Sequence, residues 1–406
     1  MDWFLRPAHE SLRAAVRDFA EREVRPLVPL LENQQVVAEE LSRRIASQGW
    51  IGVTIPACYG GMGMGHLAKT IIIEELSRVS GAMGAMVQAS QLGVAKVIHF
   101  GTEWQKRHWL PRFASGECLP TIAVTERVSG GHVMAMSSTA VWDEDSYVLD
   151  GHKCFVGNSH IGDVHGVVVR TGPGSCGLTG FLVERDRPGF KLGTVGSQGG
   201  LHGFSYGEIV FDHCRVPAEN RVGQEGRGLD IAYSSSVLYG RPNLTAVALG
   251  IHQATVEDTI EFCQRREHYG KPLTDLSTIA AKIGEMYSHL ITARLVAYHA
   301  VDLLDRGETC DAELMNAKLV NTEYALTSVR TALEILAARG CQREYGIERY
   351  LRDVLHTFPA AGTSDVQRLR LAEVACGTYR GAWSARLRHL VCSNPVAEGL
   401  ASGSAA

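Results

Sequence analysis

An α+β multidomain fold follows from three changes of pattern along the 406-residue chain. Residues 1–120 carry apolar side chains at helical spacing. Residues 121–227 switch to short runs rich in Val, Ile, Phe and Tyr, separated by Gly, Pro and Asp. From residue 228 to about 391 the helical spacing returns. A helical domain, a β domain and a helical bundle are therefore expected in that order, followed by a flexible tail at 392–406.

The first domain opens with "HESLRAAVRDFAEREVRPL", whose apolar stripe ends near Pro26. "VAEELSRRIASQGW" repeats the pattern. "IPACYGGMGMG" is a glycine-rich loop. The long stretch from His66 to Gly101 predicts two helices broken at Ser80-Gly81, and "TEWQKRHWLPRFASGE" one more short helix. In the middle domain, "STAVWDEDSYVLDGHKCFVGN" predicts two strands around an acidic turn. "VHGVVVRT", "LTGFLVERD", "FKLGTVG" and "GEIVFDHCRVP" supply further strands, ending near Pro217. The third domain is expected to hold one long helix through "GLDIAYSSSVLYGRPNLTAVALGIHQATVEDTIEFCQRREHYG" and two more at "LSTIAAKIGEMYSHLITARLVAYHAVDLLDRG" and "DAELMNAKLVNTEYALTSVRTALEILAARG". "TFPAAGTSDVQR" reads as a loop, broken by Pro359 and Gly362, that leads into a final helix.

The chain is 45% hydrophobic and 21% charged with a net charge of −4, which argues against nucleic acid as a partner. The ten cysteines are scattered without a CxxC pair, so neither a metal site nor a disulfide framework is expected. No run approaches the roughly 18 apolar residues of a membrane helix. The amphipathic N-terminus lacks the apolar core of a signal peptide, and a cytoplasmic location is expected.

Several strings carry a likeness: "IPACYGGMGMG", "EELSRVSGAMG", "FGTEWQKRHWLPRFASGE", "AVTE", "YVLDGHKCFVGN", "IVFDHCRVPAENRVGQEGRGL", "RREHYGKPL", "EYGIERYLRD" and "GTSDVQR". Each is weak alone. Their order and spacing, over nearly the whole chain, resemble the acyl-CoA dehydrogenase family. The resemblance implies an N-terminal helical domain, a β-barrel-like middle domain and a C-terminal four-helix bundle. It also implies a homotetramer or homodimer with FAD between the domains. The implied reaction is dehydrogenation of an acyl thioester, carried by CoA or an acyl carrier protein: a carboxylate takes the α-proton and the flavin takes the β-hydride. An electron-transfer partner or reductase would regenerate the flavin.

Carried over residue by residue, Thr125 matches the threonine at the flavin pyrimidine edge, and Phe155 the aromatic beside its ring. Gly130 and Gly131 match the Gly-Ser of a Gly-Ser-Asp element. Arg266 and Tyr269 match an Arg-x-x-Phe element reaching FAD across a subunit interface, where a guanidinium suits a pyrophosphate. Thr363 and Asp365 match polar residues on the adenine and diphosphate side. Arg241 matches an arginine near the substrate and the catalytic loop, with Tyr239 and Gly362 beside the substrate. Without the family context each has a plainer reading: a strand threonine, a core phenylalanine, a solvated arginine.

The departures fall on the chemistry. The family's usual base is a glutamate, and its position here is Ala361. A minority of the family places the base at the position of Gly240. Neither residue takes a proton. The serine of the Gly-Ser-Asp element is Gly131, followed by His132. The threonine that bonds flavin N5 is Gly157, a flavin-contacting glutamine is Ser277, and the Gly-Gly pair that approaches the pyrophosphate is Ala337-Ala338. General acid–base catalysis contributes about 10²–10⁴-fold, whereas one hydrogen bond at N5 is worth about 1 kcal/mol. The missing base therefore decides function.

Three readings stay open. One is oxidation of an acyl thioester with a relocated base, for which Glu126, His132, His202 and Tyr239 are candidates; such divergence fits specialised metabolism. Another is a monooxygenase, in which Gly157 leaves room beside the flavin for a peroxide. The third is a non-catalytic partner of a heteromer.

Overall fold

A computed structural model describes residues 4–34 and 36–386. The expected tail at 392–406, and the end of the expected bundle beyond residue 386, lie outside the described residues. The three-part order of helices, sheet and helices is as the patterns predict.

The N-terminal part is built from α1 (Pro7–Phe19), α2 (Val28–Gln34), α3 (Glu39–Ala46), α4 (Gly65–Val79), α5 (Gly81–Phe100) and α6 (Glu103–Ala114). Ser80 takes an extended conformation (φ −147°, ψ 111°) and separates α4 from α5, as expected. Both helices are buried on almost every face, because they form the centre of the molecule rather than its surface.

The middle part is one eight-stranded sheet. Its strands are β1 (Pro120–Ala123), β2 (Thr139–Asp143), β3 (Ser146–Gly157), β4 (Val164–Arg170), β5 (Leu178–Glu184), β6 (Phe190–Val195), β7 (Tyr206–Pro217) and β8 (Arg221–Val222). The spatial order is β6-β7-β3-β2-β4-β5-β8, with β1 parallel to β4. The acidic turn is the hairpin between β2 and β3, pairing Asp143 with Ser146. Alternating residues separate two cores. Val167, Val169, Phe181, Val183, Ile209 and Phe211 pack within the sheet layer, while Val164, Val168 and Leu182 face the helices.

The C-terminal part holds α7 (Gly228–Ser234), α8 (Arg241–Arg265), α9 (Ser277–Asp305), α10 (Asp311–Leu336), α11 (Ile347–Leu355), α12 (Ser364–Ala375) and α13 (Trp383–Arg386). A short hairpin of β9 (Glu267–His268) and β10 (Lys271–Pro272) joins α8 to α9. The sequence pattern predicts one helix from Gly228 onward. Instead, a π-helical turn at Ser235–Gly240 separates α7 from α8. Pro242 has no N–H to give to the carbonyl four residues back, and the flexible Gly240 precedes it, so the helix widens where regular bonding fails.

Polar contacts bind the parts together. Glu74 on α4 accepts from Arg294 Nη2 (2.8 Å) and Tyr298 Oη (2.6 Å), both on α9. Arg17 makes a two-point contact with Glu75 at 2.9 Å for each bond. Asp353 on α11 accepts from the amide of Leu201 in the β domain at 2.6 Å. Gly250 lets α8 lie close on α4, since a Cβ there would stand 2.6 Å from Ser77 Cβ. No helix among the described residues is long and apolar enough to cross a membrane.

One turn is strained. Ala337, just after α10, sits at φ 52°, ψ −133°, a conformation that favours glycine. Relief of that strain, less the extra entropy of an unfolded glycine, sets the expectation for Ala337→Gly. The variant should be more stable by about 1 kcal/mol, read as a raised midpoint of thermal unfolding.

Candidate active site

The loop 357–363 between α11 and α12 is held from inside the bundle. Lys318 of α10 is buried, and its Nζ donates to the carbonyls of Phe358 (3.0 Å) and Gly362. Gln367, also buried, donates through Nε2 to the carbonyls of Ala361 and Gly362, both at 3.0 Å. Thr363 caps α12 by accepting from the amide of Val366 at 3.3 Å. Ala361 (φ 54°) and Gly362 (φ 94°) both take left-handed backbone conformations within this clamp.

The clamp brings the two candidate base positions together. A Cβ added to Gly240 would stand 3.1 Å from the Cβ of Ala361 and 3.8 Å from Leu92 Cδ2 of α5. Two positions 121 residues apart in the chain thus open on one niche. Both are empty of a proton acceptor. The charged groups nearby are cations. Burial lowers the ammonium of Lys318 to about 7, and Arg241 pushes it the same way. Arg241 is only 8% exposed, and its Nε and Nη1 have no hydrogen-bond partner. Lys318 is not among the residues that the family motifs point to. Its signal was a lysine on the buried stripe Leu314, Lys318, Asn321, Ala325, at spacings of four, three and four.

The residues put forward as relocated bases do not suit that role. Glu126 Oε1 accepts from Lys153 Nζ at 2.7 Å and from the Ser138 amide at 3.0 Å. Its Oε2 accepts from the amide and hydroxyl of Ser137 at 2.7 and 2.8 Å. Burial raises the carboxyl, but the Lys153 and Ser137 donors overcome it and hold Glu126 at about 2. His202 is fixed between Glu32 (3.2 Å) and the Gln198 carbonyl (3.1 Å). His132 lies exposed on a loop of the β domain, where its carbonyl accepts from Ser129 Oγ at 3.0 Å.

Tyr239, expected beside the substrate, is instead buried in a polar cluster between α4, α5 and the π-turn. Its hydroxyl lies 3.1 Å from His99 Nε2, and Lys69 Nζ sits 4.3 Å from its ring centre. Burial raises its hydroxyl above the ordinary range. The π-turn aims this side chain inward, which helical periodicity did not foresee.

Most of the residues that the resemblance assigns to a flavin lie on open surfaces of the sheet and the bundle. Phe155 is 60% exposed at φ 54°, an aromatic left on the outside of the sheet with Tyr206 at 5.7 Å. Thr125 lies beside it, its carbonyl accepting from the Cys154 amide at 2.9 Å. Neither Gly130 nor Gly131 has an atom within 4 Å of an added Cβ, so that loop is open to a ligand. Ala337 keeps a glycine-like turn despite its side chain. Arg266, Ser277, Ala338 and Asp365 are exposed, as is Tyr269 at 84%. Tyr269 has His268, at 4.0 Å, as its ring partner rather than Phe155. Asp365 pairs with Arg368 at 3.0 Å. These surfaces fit a large planar and anionic cofactor.

Gly157 behaves differently from expectation. A Cβ there would meet Ala89 Cβ at 2.9 Å and Phe204 Cζ at 3.0 Å. The room expected from losing a threonine is taken by the Phe204 ring, which stacks on Tyr206 at 6.0 Å. Gly157 therefore leaves no room of its own for a peroxide at that edge.

Three family models match in sequence order. The acyl-CoA dehydrogenase N-terminal domain matches residues 6–117, the middle domain 121–214 and the C-terminal domain 226–376. The chain belongs to the acyl-CoA dehydrogenase family. An acyl-CoA dehydrogenase of Bacillus subtilis is 32% identical over 369 residues, spanning 90% of this chain and 97% of the relative. An L-prolyl-[peptidyl-carrier protein] dehydrogenase of Pseudomonas fluorescens is 35% identical, spanning 82% and 93%. The structure of butyryl-CoA dehydrogenase from Megasphaera elsdenii superposes with a TM-score of 0.90 at 29% identity, covering 93% of this chain and 100% of that one.

The Glu126–Lys153 pair gives a direct test of its structural role. Glu126→Ala leaves a fully buried ammonium unpaired and should cost about 3–5 kcal/mol in denaturant unfolding. Because the folded carboxyl is held below its usual 4.5, its contribution is complete above that pH. It is lost as pH falls from 4.5 toward 2, and Glu126→Gln should flatten the stability profile in that window.

Proposed function

We propose that this protein is an FAD-dependent oxidoreductase of an acyl thioester, carried by CoA or by a carrier protein, in specialised metabolism. The similarity to a carrier-protein dehydrogenase supports the carrier and the metabolic setting. The observation that carries the reading is the niche itself. Gly240 meets Ala361 of the loop clamped by Lys318, and Arg241 beside Gly240 is buried with Nε and Nη1 unpartnered, which supports an acyl site that has lost its carboxylate.

FAD, when bound, supplies a hydride acceptor. Thr125, Phe155 and the open Gly130-Gly131 loop would hold it from one subunit. Arg266 and Tyr269 would reach it from a neighbouring subunit of a homodimer or homotetramer, and Ser277, the Ala337-Ala338 turn, Thr363 and Asp365 would line it. Phe204 and Ala89 close the Gly157 edge with apolar surface, where water is excluded. Arg241 and Gly362 orient the acyl group. No carboxylate of this chain stands at Ala361 or Gly240 to remove an α-proton, so α,β-dehydrogenation of a simple saturated thioester is slow. An electron-transfer partner or a reductase completes the cycle in the cytoplasm.

The purified protein should be yellow when supplied with FAD. Mixed anaerobically with butyryl-CoA, the wild-type flavin should bleach at least about 10²-fold more slowly than that of Ala361→Glu, the lower range of general-base catalysis. A protein that does not take up FAD overturns the oxidoreductase reading, and fast wild-type bleaching overturns the loss of the base.

A further inference from the structure

The charge balance around Gly240 and Ala361 points to the class of acyl group. Arg241 and Lys318 repel one another at close range, and Arg370 adds to the positive field on Arg241. Arg370 is already paired with Glu373 at 2.8 Å. The carboxylate that faces Arg241 is Asp311, through the hydroxyl of Tyr379. Asp311 has no capacity left. It accepts from Tyr379 Oη (3.1 Å), the amide of Trp383 (2.8 Å), and the amide (2.8 Å) and hydroxyl of Ser384. Four donors fill the roughly four lone-pair positions of a carboxylate.

Arg241 Nε and Nη1 therefore have no acceptor within the described residues, although the side chain is more than nine-tenths buried. A guanidinium in that state needs acceptors brought to it, and a carboxylate, with two oxygens and about four lone-pair positions, is the group suited to supply them. Lys318 uses two of its three N–H donors on loop carbonyls and keeps one. A glutamate at position 240 or 361 would have put a negative charge in this niche. Its removal leaves the positive side uncompensated.

We propose that the niche receives a carboxylate carried by the acyl group itself, so that the substrate is the monothioester of a dicarboxylic acid, gripped by Arg241 with support from Lys318. The inference rests on the acyl-thioester reading above. It gives the missing glutamate a reason: a second carboxylate in the niche would repel the one that the substrate brings.

The test is anaerobic titration of the FAD-loaded protein, read as perturbation of the flavin absorption. The probes are phosphopantetheine thioesters, which carry the arm common to CoA and carrier proteins. Butyryl thioester is compared with the malonyl, succinyl and glutaryl thioesters. At least one carboxylated probe should bind 10-fold or more tightly than butyryl. Arg241→Met should cut the preference for that probe over butyryl by about 10- to 100-fold, the worth of hydrogen bonds to a charged group. Ala361→Glu should weaken the carboxylated probe without perturbing the fold. FAD content and circular dichroism of each variant report whether it has folded. Butyryl binding as tightly as every carboxylated probe, or an unchanged preference in folded Arg241→Met, overturns the inference alone and leaves a buried water as the partner of Arg241. If no thioester of either class perturbs a bound flavin, the acyl-thioester reading falls and this inference with it.

Discussion

The Lys318 clamp is the contact on which the candidate site depends. A loop with a proline, two alanines and a glycine has little to hold it in place by itself. Two carbonyls bonded to one buried ammonium, with Gln367 on the same strand of chain, fix Ala361 in a left-handed conformation against Gly240. A free loop would fix neither the shape nor the charge of the niche. Burying the ammonium is costly, which is why its proton is held only to about pH 7. The cost is offset by the bonds to the carbonyls of Phe358 and Gly362, the second of which Gln367 also reaches.

A second constraint works from the opposite wall. The π-turn at Ser235–Gly240 turns Tyr239 into the cluster around His99 and presents the bare backbone of Gly240 to Ala361. An α-helix through this stretch would shift each following side chain by about 100° of rotation. The niche is thus made by two irregular pieces of backbone. Both come from residues that regular structure accommodates poorly, Pro242 on one side and the Pro359–Gly362 stretch on the other.

Much of this was legible in the chain and part was not. The helix–sheet–helix order could be read because periodicity of 3.6 or 2 survives in long segments such as "HLAKTIIIEELSRV" and "VHGVVVR". The break at Ser80-Gly81 could be read because both residues disfavour a helix interior. The π-turn could not, since nothing in "SSSVLYGRPN" separates a widened turn from a plain helix. Lys318 looked like one polar residue in a long helix until the loop carbonyls above it were seen. Phe204 was hidden for the same reason: its filling of the Gly157 space joins positions 47 residues apart. Family motifs located Ala361 and Gly240, but only the folded chain puts them side by side.

The central claim is that nothing in this niche replaces the missing carboxylate as acceptor of the proton next to the thioester: Lys318, whose ammonium is lowered to about 7, is tied to the carbonyls of Phe358 and Gly362. The most direct measurement is exchange of that proton with solvent. The FAD-loaded protein is incubated in D₂O with butyryl-CoA without an electron acceptor, and deuterium in the thioester is followed by mass spectrometry. The account predicts wild-type incorporation no faster than in protein-free buffer, with incorporation appearing in Ala361→Glu. Incorporation by the wild type well above the buffer rate would contradict it, because a proton acceptor would then be at work although neither Ala361 nor Gly240 supplies one.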